Sequence, residues 1–309
     1  VVDAADEPAA LSVLHRGDPA AGGELMSALS GVGSRRSKLL FAGAVYLGLI
    51  ATTAVFLFPL LWVIGLSLKT RLQVFATPPL FLWRPTFENY LGVLSQADFM
   101  QAFVNSLVVS SGAVLMSLCI GVPAAYAFAR FPFRGGSFLF FSLLVMRMLP
   151  PIAVLVPMYI LFSKFGLTTT RFSVVLAYTT FSLPLVVWIM RGFFEDLPRE
   201  LEESAWVDGA SRYAAFRHVV LPLIRPGLVA ASILCLQLAW NDFLFAAVLT
   251  NNATRTLPVL MAAYSGGDTG VDWGGMTASG ALVILPVLIF SFVAQRHLVA
   301  GLSSGAVKG

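Results

Sequence analysis

Charge is what this chain has least of. Only 12% of its 309 residues are Asp, Glu, Lys or Arg, against about a quarter in an ordinary soluble domain. With 58% apolar residues and a mean hydropathy of +0.83, the shortage excludes a water-soluble globular fold. Other scarcities narrow the chemistry. The four lysines are Lys38, Lys69, Lys164 and Lys308. None follows the glycines of a Gly-x-x-x-x-Gly-Lys-Ser/Thr loop, whose backbone N–H groups and lysine hold phosphates. "SGVGSRR" has the glycines without the lysine, and no strand precedes it. Any ATP must therefore be handled by another polypeptide. His15, His218 and His297 all fall outside the long apolar runs, and Asp242 is the lone acid within them, which leaves no catalytic constellation. Cys119 and Cys235 lie in mid-run at no metal-binding or redox spacing. They read as buried small hydrophobes.

Long apolar runs are what the chain has instead. They cover about 39–68, 100–129, 137–163, 172–191, 227–250 and 274–295, each near the roughly 20 residues that cross a bilayer as helix. The fold class expected is an all-α polytopic membrane protein with six transmembrane helices. A cleaved secretory signal is not expected, because the first run is too long and lacks a clear small-residue cleavage site. Residues 1–35, rich in Ala, Gly, Asp and Pro without periodicity, read as a disordered cytoplasmic tail ahead of a single membrane domain at 36–309. With the N-terminus inside, 13 of the 20 Lys and Arg fall on the cytoplasmic side, six outside and Arg147 within the membrane. The asymmetry follows the positive-inside rule and puts both termini in the cytoplasm. It also accounts for the net charge of +4: the partner of the basic residues is the lipid bilayer's inner face, and no nucleic acid is implied.

One stretch is unlike the rest. Residues 195–226, around "EESAWVDGASRYAAFRHVVLPL", form the one sizeable cytoplasmic insertion. Pro198 suits a helix start, and Leu201, Ala205, Trp206 and Val207 make an apolar stripe, with Glu200, Glu202 and Glu203 on other faces. Gly209 supplies a left-handed helix end. Ser211 can cap a second helix that presents Tyr213 and Phe216, and Pro222 and Pro226 end it. Such a hairpin either lies on the membrane surface or is a docking knob for a cytoplasmic protein. Amphipathicity fits both.

The same residues resemble the EAA loop of ATP-binding-cassette (ABC) importer permeases, a pattern of Glu-Ala-Ala, Asp-Gly-Ala and Leu-Pro. It is matched at Glu203, Ala205, Asp208, Gly209, Ala210, Phe216, Leu221, Pro222 and Pro226, with Ser204 for the first alanine. "NYLGVL", Asn105–Ser106, "AAYAFARFPFRGG", "AWNDFLFA" and "VAGLSSGAVKG" are similar to the carbohydrate-importer branch, in the same order. The resemblance implies the transmembrane domain of a type I ABC importer for a sugar, oligosaccharide or polyol. It implies a homologous second permease, two ABC ATPase subunits that bind the ATP and Mg, and an extracytoplasmic solute-binding protein. The hairpin becomes a coupling helix, seated in an ATPase cleft by Glu202, Glu203, Ala205, Asp208, Gly209, Ala210, Phe216, Leu221 and Pro222. Glu203 would meet a basic ATPase residue, and the tail 301–309 would reach between the two ATPases.

Four polar residues inside the runs are candidates for the translocation path. Arg147, just before "MLPP", must face protein or water at that depth, and Pro150, Pro151 and Pro157 should break the helix around it. Its other reading is a buried pair with a carboxylate or helix-end carbonyls. Gln237 and Asn241 share a helix face beside Asp242, and read either as a polar stretch of the path or as interhelical hydrogen-bonding groups. The competing function is an ion-coupled secondary transporter working alone, which calls for several intramembrane acids. The runs hold one.

Overall fold

A computed structural model describes residues 35–78, 80, 82–263 and 272–305, with side chains described from 42 to 292 within those ranges. The expected N-terminal tail, Arg35 apart, and residues 306–309 lie outside the described residues. The chain divides into two compact units, 1–62 and 63–309.

All regular structure among the described residues is helical. In chain order the helices are α1 (Arg35–Ser67), α2 (Arg71–Val74), α3 (Glu88–Ser95), α4 (Ala97–Arg130), α5 (Gly136–Met148), α6 (Pro151–Lys164) and α7 (Arg171–Asp196). They continue with α8 (Glu200–Val207), α9 (Arg212–Ala215), α10 (Arg225–Asn241), α11 (Leu244–Leu249), α12 (Leu257–Ala263) and α13 (Trp273–Gly305). A wider turn, Phe216–Val220, and a last turn, Leu221–Leu223, carry α9 on towards α10. Four helical stretches, Ala42–Ser67, Ala97–Arg130, Arg171–Asp196 and Trp273–Phe292, are long and apolar enough to cross a membrane. Two bent pairs make six if each is one crossing: α5 with α6, and Arg212–Leu223 with α10.

Within the first unit, α1 presents Tyr46, Leu47, Ile50, Val55 and Phe56 outward, the expected surface of a helix solvated by lipid. The second unit is organised by α4 against α7. Lipid supplies no hydrophobic drive between helices, so close backbone approach decides the pairing. The buried face of α4 is accordingly rich in small residues, Ala102, Ser106, Ser110, Ala113, Ser117, Gly121 and Ala125, with Phe99, Asn105, Val109 and Val122 among them. A Cβ on Gly121 would sit 2.7 Å from Val186 Cγ1 of α7. Cys119 is exposed on the other side of α4, contrary to the burial expected of it, because the helix turns its serine and glycine face to α7; Cys235 is buried.

The third apolar run is not one straight span. α5 and α6 meet at 100°, with Leu149 and Pro150 in extended conformation between them. Pro150 and Pro151 account for the break, since the residue before a proline avoids helical conformation. Pro157, also expected to break the helix, stays inside α6. Leu155 and Phe162 of the same helix are buried in the core. The fifth run breaks as well, at Asp242, between α10 and α11.

Candidate functional site

The hairpin between α7 and α10 is built by a short list of local hydrogen bonds. Gly209 adopts φ +87°. Its N–H donates to Trp206 O at 3.0 Å, and the Ala210 N–H reaches back to Ala205 O at 2.9 Å. That pair of bonds satisfies carbonyls at the end of α8 and needs a left-handed residue. Ser211 Oγ then accepts from Ala214 N–H at 3.2 Å and starts α9. The Asp-Gly-Ala-Ser sequence thus sets a tight reversal without help from elsewhere.

What fixes the hairpin to the membrane helices was not legible in the sequence. Glu202, expected off the apolar stripe with Glu200 and Glu203 and among the residues that seat the hairpin in an ATPase, is 2% exposed. Its carboxylate accepts from Arg130 Nε at 2.6 Å and from the Tyr126 hydroxyl. The same guanidinium donates to Leu197 O at 2.9 Å. Tyr126 also packs on Phe194 of α7 and on Phe216, with ring centroids 5.3 and 4.8 Å apart. The inner end of α4, the end of α7 and both arms of the hairpin therefore meet at one buried, charge-paired knot. By sequence, Arg130 reads only as a topology charge. The available signal was its place in "AAYAFARFPFRGG", where a tyrosine stands one helical turn before the arginine and on the same face.

The other hairpin residues divide between the outer surface and the core, against which Phe216 and Leu221 pack. Glu203, Asp208 and Gly209 are exposed, and Ala205, Ala210, Phe216, Leu221 and Pro222 are half-buried. Val207 is 87% and Tyr213 70% exposed, while Arg212 lies over the Trp206 ring at 5.6 Å. Among the described residues, an apolar rim with acids beside it is left without cover.

The path candidates separate into two pairs. Arg147 and Asp242 come together on a cavity of about 210 Å³ formed at the two helix breaks, with Tyr178, Phe181, Ser182 and Phe245. Asp242 Oδ1 accepts from Phe245 N–H at 3.0 Å and caps α11. The Tyr178 hydroxyl donates to Asp242 O at 3.2 Å. Arg147 is exposed in this chain and forms no ion pair or hydrogen bond among the described residues. An arginine left to lipid at mid-depth costs about 2.5–3.5 kcal/mol on insertion scales, so water, solute or another chain must meet it. Gln237 and Asn241 stay apart from this cavity. Asn241 Nδ2 donates to Gln237 O at 2.8 Å along their own helix, and Gln237 lines a separate void of about 20 Å³ beside Trp240.

The far end of α4 carries a second polar cluster. Asn105 Nδ2 donates to Ala253 O and Arg255 O at 3.0 and 2.8 Å, and its Oδ1 accepts from Arg171 Nε at 2.7 Å. Ser106 Oγ accepts from Leu257 N–H at 2.8 Å. The Asn-Ser pair thus pins the segment between α11 and α12 to α4 and α7.

The family described as "Binding-protein-dependent transport system inner membrane component" matches residues 117–304. The trehalose transport system permease protein of Mycobacterium tuberculosis is 39% identical over 255 residues, covering 82% of this chain and 93% of that protein. The trehalose/maltose transport system permease protein of Thermococcus litoralis is 32% identical over 274 residues, 88% of this chain and 96% of its own length. Among solved structures, a bacterial ABC transporter involved in the import of the acidic polysaccharide alginate superposes with a TM-score of 0.74. It is 23% identical and covers 86% of this chain and 99% of its own; the likeness is one of fold. A structure of the bacterial alginate transporter with a pentasaccharide-bound periplasmic protein superposes at 0.63, with 16% identity over 85% of this chain and 96% of its own.

Proposed function

Because the chain belongs to the binding-protein-dependent inner membrane components, as a carbohydrate-type permease subunit of an ABC importer, we propose that it carries a neutral sugar or short oligosaccharide into the cell. Relatives named for trehalose and for trehalose with maltose support that class. The reading extends to the assembly. Six crossings, with α5–α6 and α10–α11 each counted once, put both termini on one side, and the excess of basic residues there makes it the cytoplasm. A homologous second permease completes the path, and an extracytoplasmic binding protein delivers the sugar.

Power comes from two separate ATPase subunits, which hold the ATP and Mg. The observation that carries this reading is the hairpin itself. Its Val207, Tyr213 and Glu203 face outward, while its base is locked to α4 and α7 through Glu202 and Arg130. Left in water, the apolar rim forgoes burial at about 25 cal/mol per Å². Seated in an ATPase cleft, it becomes a lever with one rigid end in the membrane domain. Closure of the ATPases would then rock α4, α7 and α10 together.

The test is coexpression of the chain with its partner permease, ATPase subunits and binding protein, followed by copurification. In proteoliposomes, ATP hydrolysis should rise when the loaded binding protein is added, across a panel that includes trehalose and maltose. Failure of the chain to copurify with any ATPase would overturn the coupling reading. A response to none of the sugars would overturn the substrate class.

A further inference from the structure

Resting on the sugar-import reading and deepening it, we propose that the cavity at the two helix breaks is a subsite for one uncharged sugar ring, held by this subunit through Arg147 and Asp242.

Backbone is the first consideration. The chain leaves helical conformation at Leu149–Pro150 and again at Asp242, and both breaks border the same space. Irregular backbone within an apolar layer is tolerated where it is buried in protein or lines a water-filled cavity. Membrane carriers commonly place solute sites at such interruptions.

Side-chain chemistry is the second. Arg147 only donates, and the Asp242 carboxylate only accepts. Asp242 commits Oδ1 to Phe245 N–H and has the Tyr178 hydroxyl and the Ala246 N–H beside it, so a guest hydroxyl would share the carboxylate's remaining acceptor capacity with them. The two charges line one cavity without forming an ion pair among the described residues. A hydroxyl both donates and accepts, so a ring bearing several can bridge this pair. Opposite charges cancel, which favours a neutral guest over an ion. A metal cation would find a single carboxylate facing a guanidinium. Phe181 and Phe245, with ring centroids 5.0 Å apart, offer an apolar surface for the C–H face of a ring.

Size is the third. About 210 Å³ falls below the roughly 300–1,000 Å³ of pockets that enclose a whole drug-sized ligand. One ring fits here. The remainder of a di- or oligosaccharide would have to be held by the partner permease.

The experiment uses the complete importer in proteoliposomes with saturating binding protein. Uptake of trehalose, maltose, diacetylchitobiose and the anionic sulfoquinovosyl glycerol is measured for wild type, Arg147→Gln and Asp242→Asn. The second variant retains an oxygen for Phe245 N–H, so the α11 cap survives. Each variant should lower the maximal rate for neutral sugars roughly 10-fold or more, the loss expected for a hydrogen bond to a charged group. Copurification of all subunits should remain at wild-type level. Wild-type uptake rates in both variants would overturn the subsite while leaving the importer reading intact. Loss of the partner permease from Arg147→Gln would also overturn it, by making Arg147 a subunit-pairing residue. Uptake of the anionic sugar alone would overturn the neutral-ring assignment. A wild type that transports none of the four would overturn the subsite and the sugar reading together.

Discussion

Glu202 and Glu203 are neighbours in sequence and have opposite surroundings. Glu202 and Arg130 form an ion pair with side chains 3% and 7% exposed, whereas Glu203 is exposed. Removing one partner of a buried pair leaves an uncompensated charge, at a cost of about 3–5 kcal/mol. Glu202→Leu should therefore lower the thermal midpoint of the detergent-solubilised chain markedly. Glu203→Lys should stay within about 0.5 kcal/mol of wild type, as exposed substitutions usually do, yet lose copurification with the ATPase subunits. The two measurements separate an anchoring residue from a docking one. If Glu203→Lys copurified and transported normally, the coupling role of that face would be lost. The sequence alone makes this distinction unreadable. Both glutamates fall in a polar stretch, and the partner that turns Glu202 inward lies 72 residues earlier, beyond the reach of any local periodicity.

Local patterns were more legible where the cause is local. The hairpin's turn rests on Gly209 and Ser211, whose roles follow from short-range hydrogen bonding, and both stand where the sequence put them. A Cβ on Gly209 would meet nothing within 4 Å, so only the left-handed backbone opposes substitution, at roughly 1–2 kcal/mol. Gly209→Ala should thus weaken the turn modestly. Gly209→Trp should insert normally but abolish ATPase copurification, because its bulk projects from the docking rim. Helix packing responds differently. Gly121 sits where α4 and α7 touch, and overpacking such a contact typically costs about 1–3 kcal/mol. Gly121→Leu should lower the yield and thermal midpoint of the chain by itself, with no ATPase present. Apolar runs could announce that α4 and α7 exist, but not that they pair, since that depends on which small residues share a face in three dimensions. The 100° turn between α5 and α6 was only half visible: the prolines marked a break, but its angle depends on what packs on either side.

The polar hairpin makes sense only if the apolar helices hold it on the inner side of the membrane. The basic residues of the short loops favour that orientation, and no segment of the chain supplies a nucleotide loop of its own. Orientation and docking can be read in one experiment. In a Cys119→Ser, Cys235→Ser background, cysteine is placed at Val207 on the hairpin rim, 87% exposed, or at Leu72 in α2, 86% exposed. An impermeant maleimide should label Leu72→Cys in intact cells and leave Val207→Cys untouched. In inside-out vesicles that lack ATPase subunits the pattern should reverse. Restoring the ATPases should then shield Val207→Cys, because an apolar rim seated in a cleft is no longer accessible. Labelling of Val207→Cys from outside would invert the topology and with it the lever. Labelling from inside that the ATPases do not diminish would keep the topology and place the docking surface elsewhere on the hairpin.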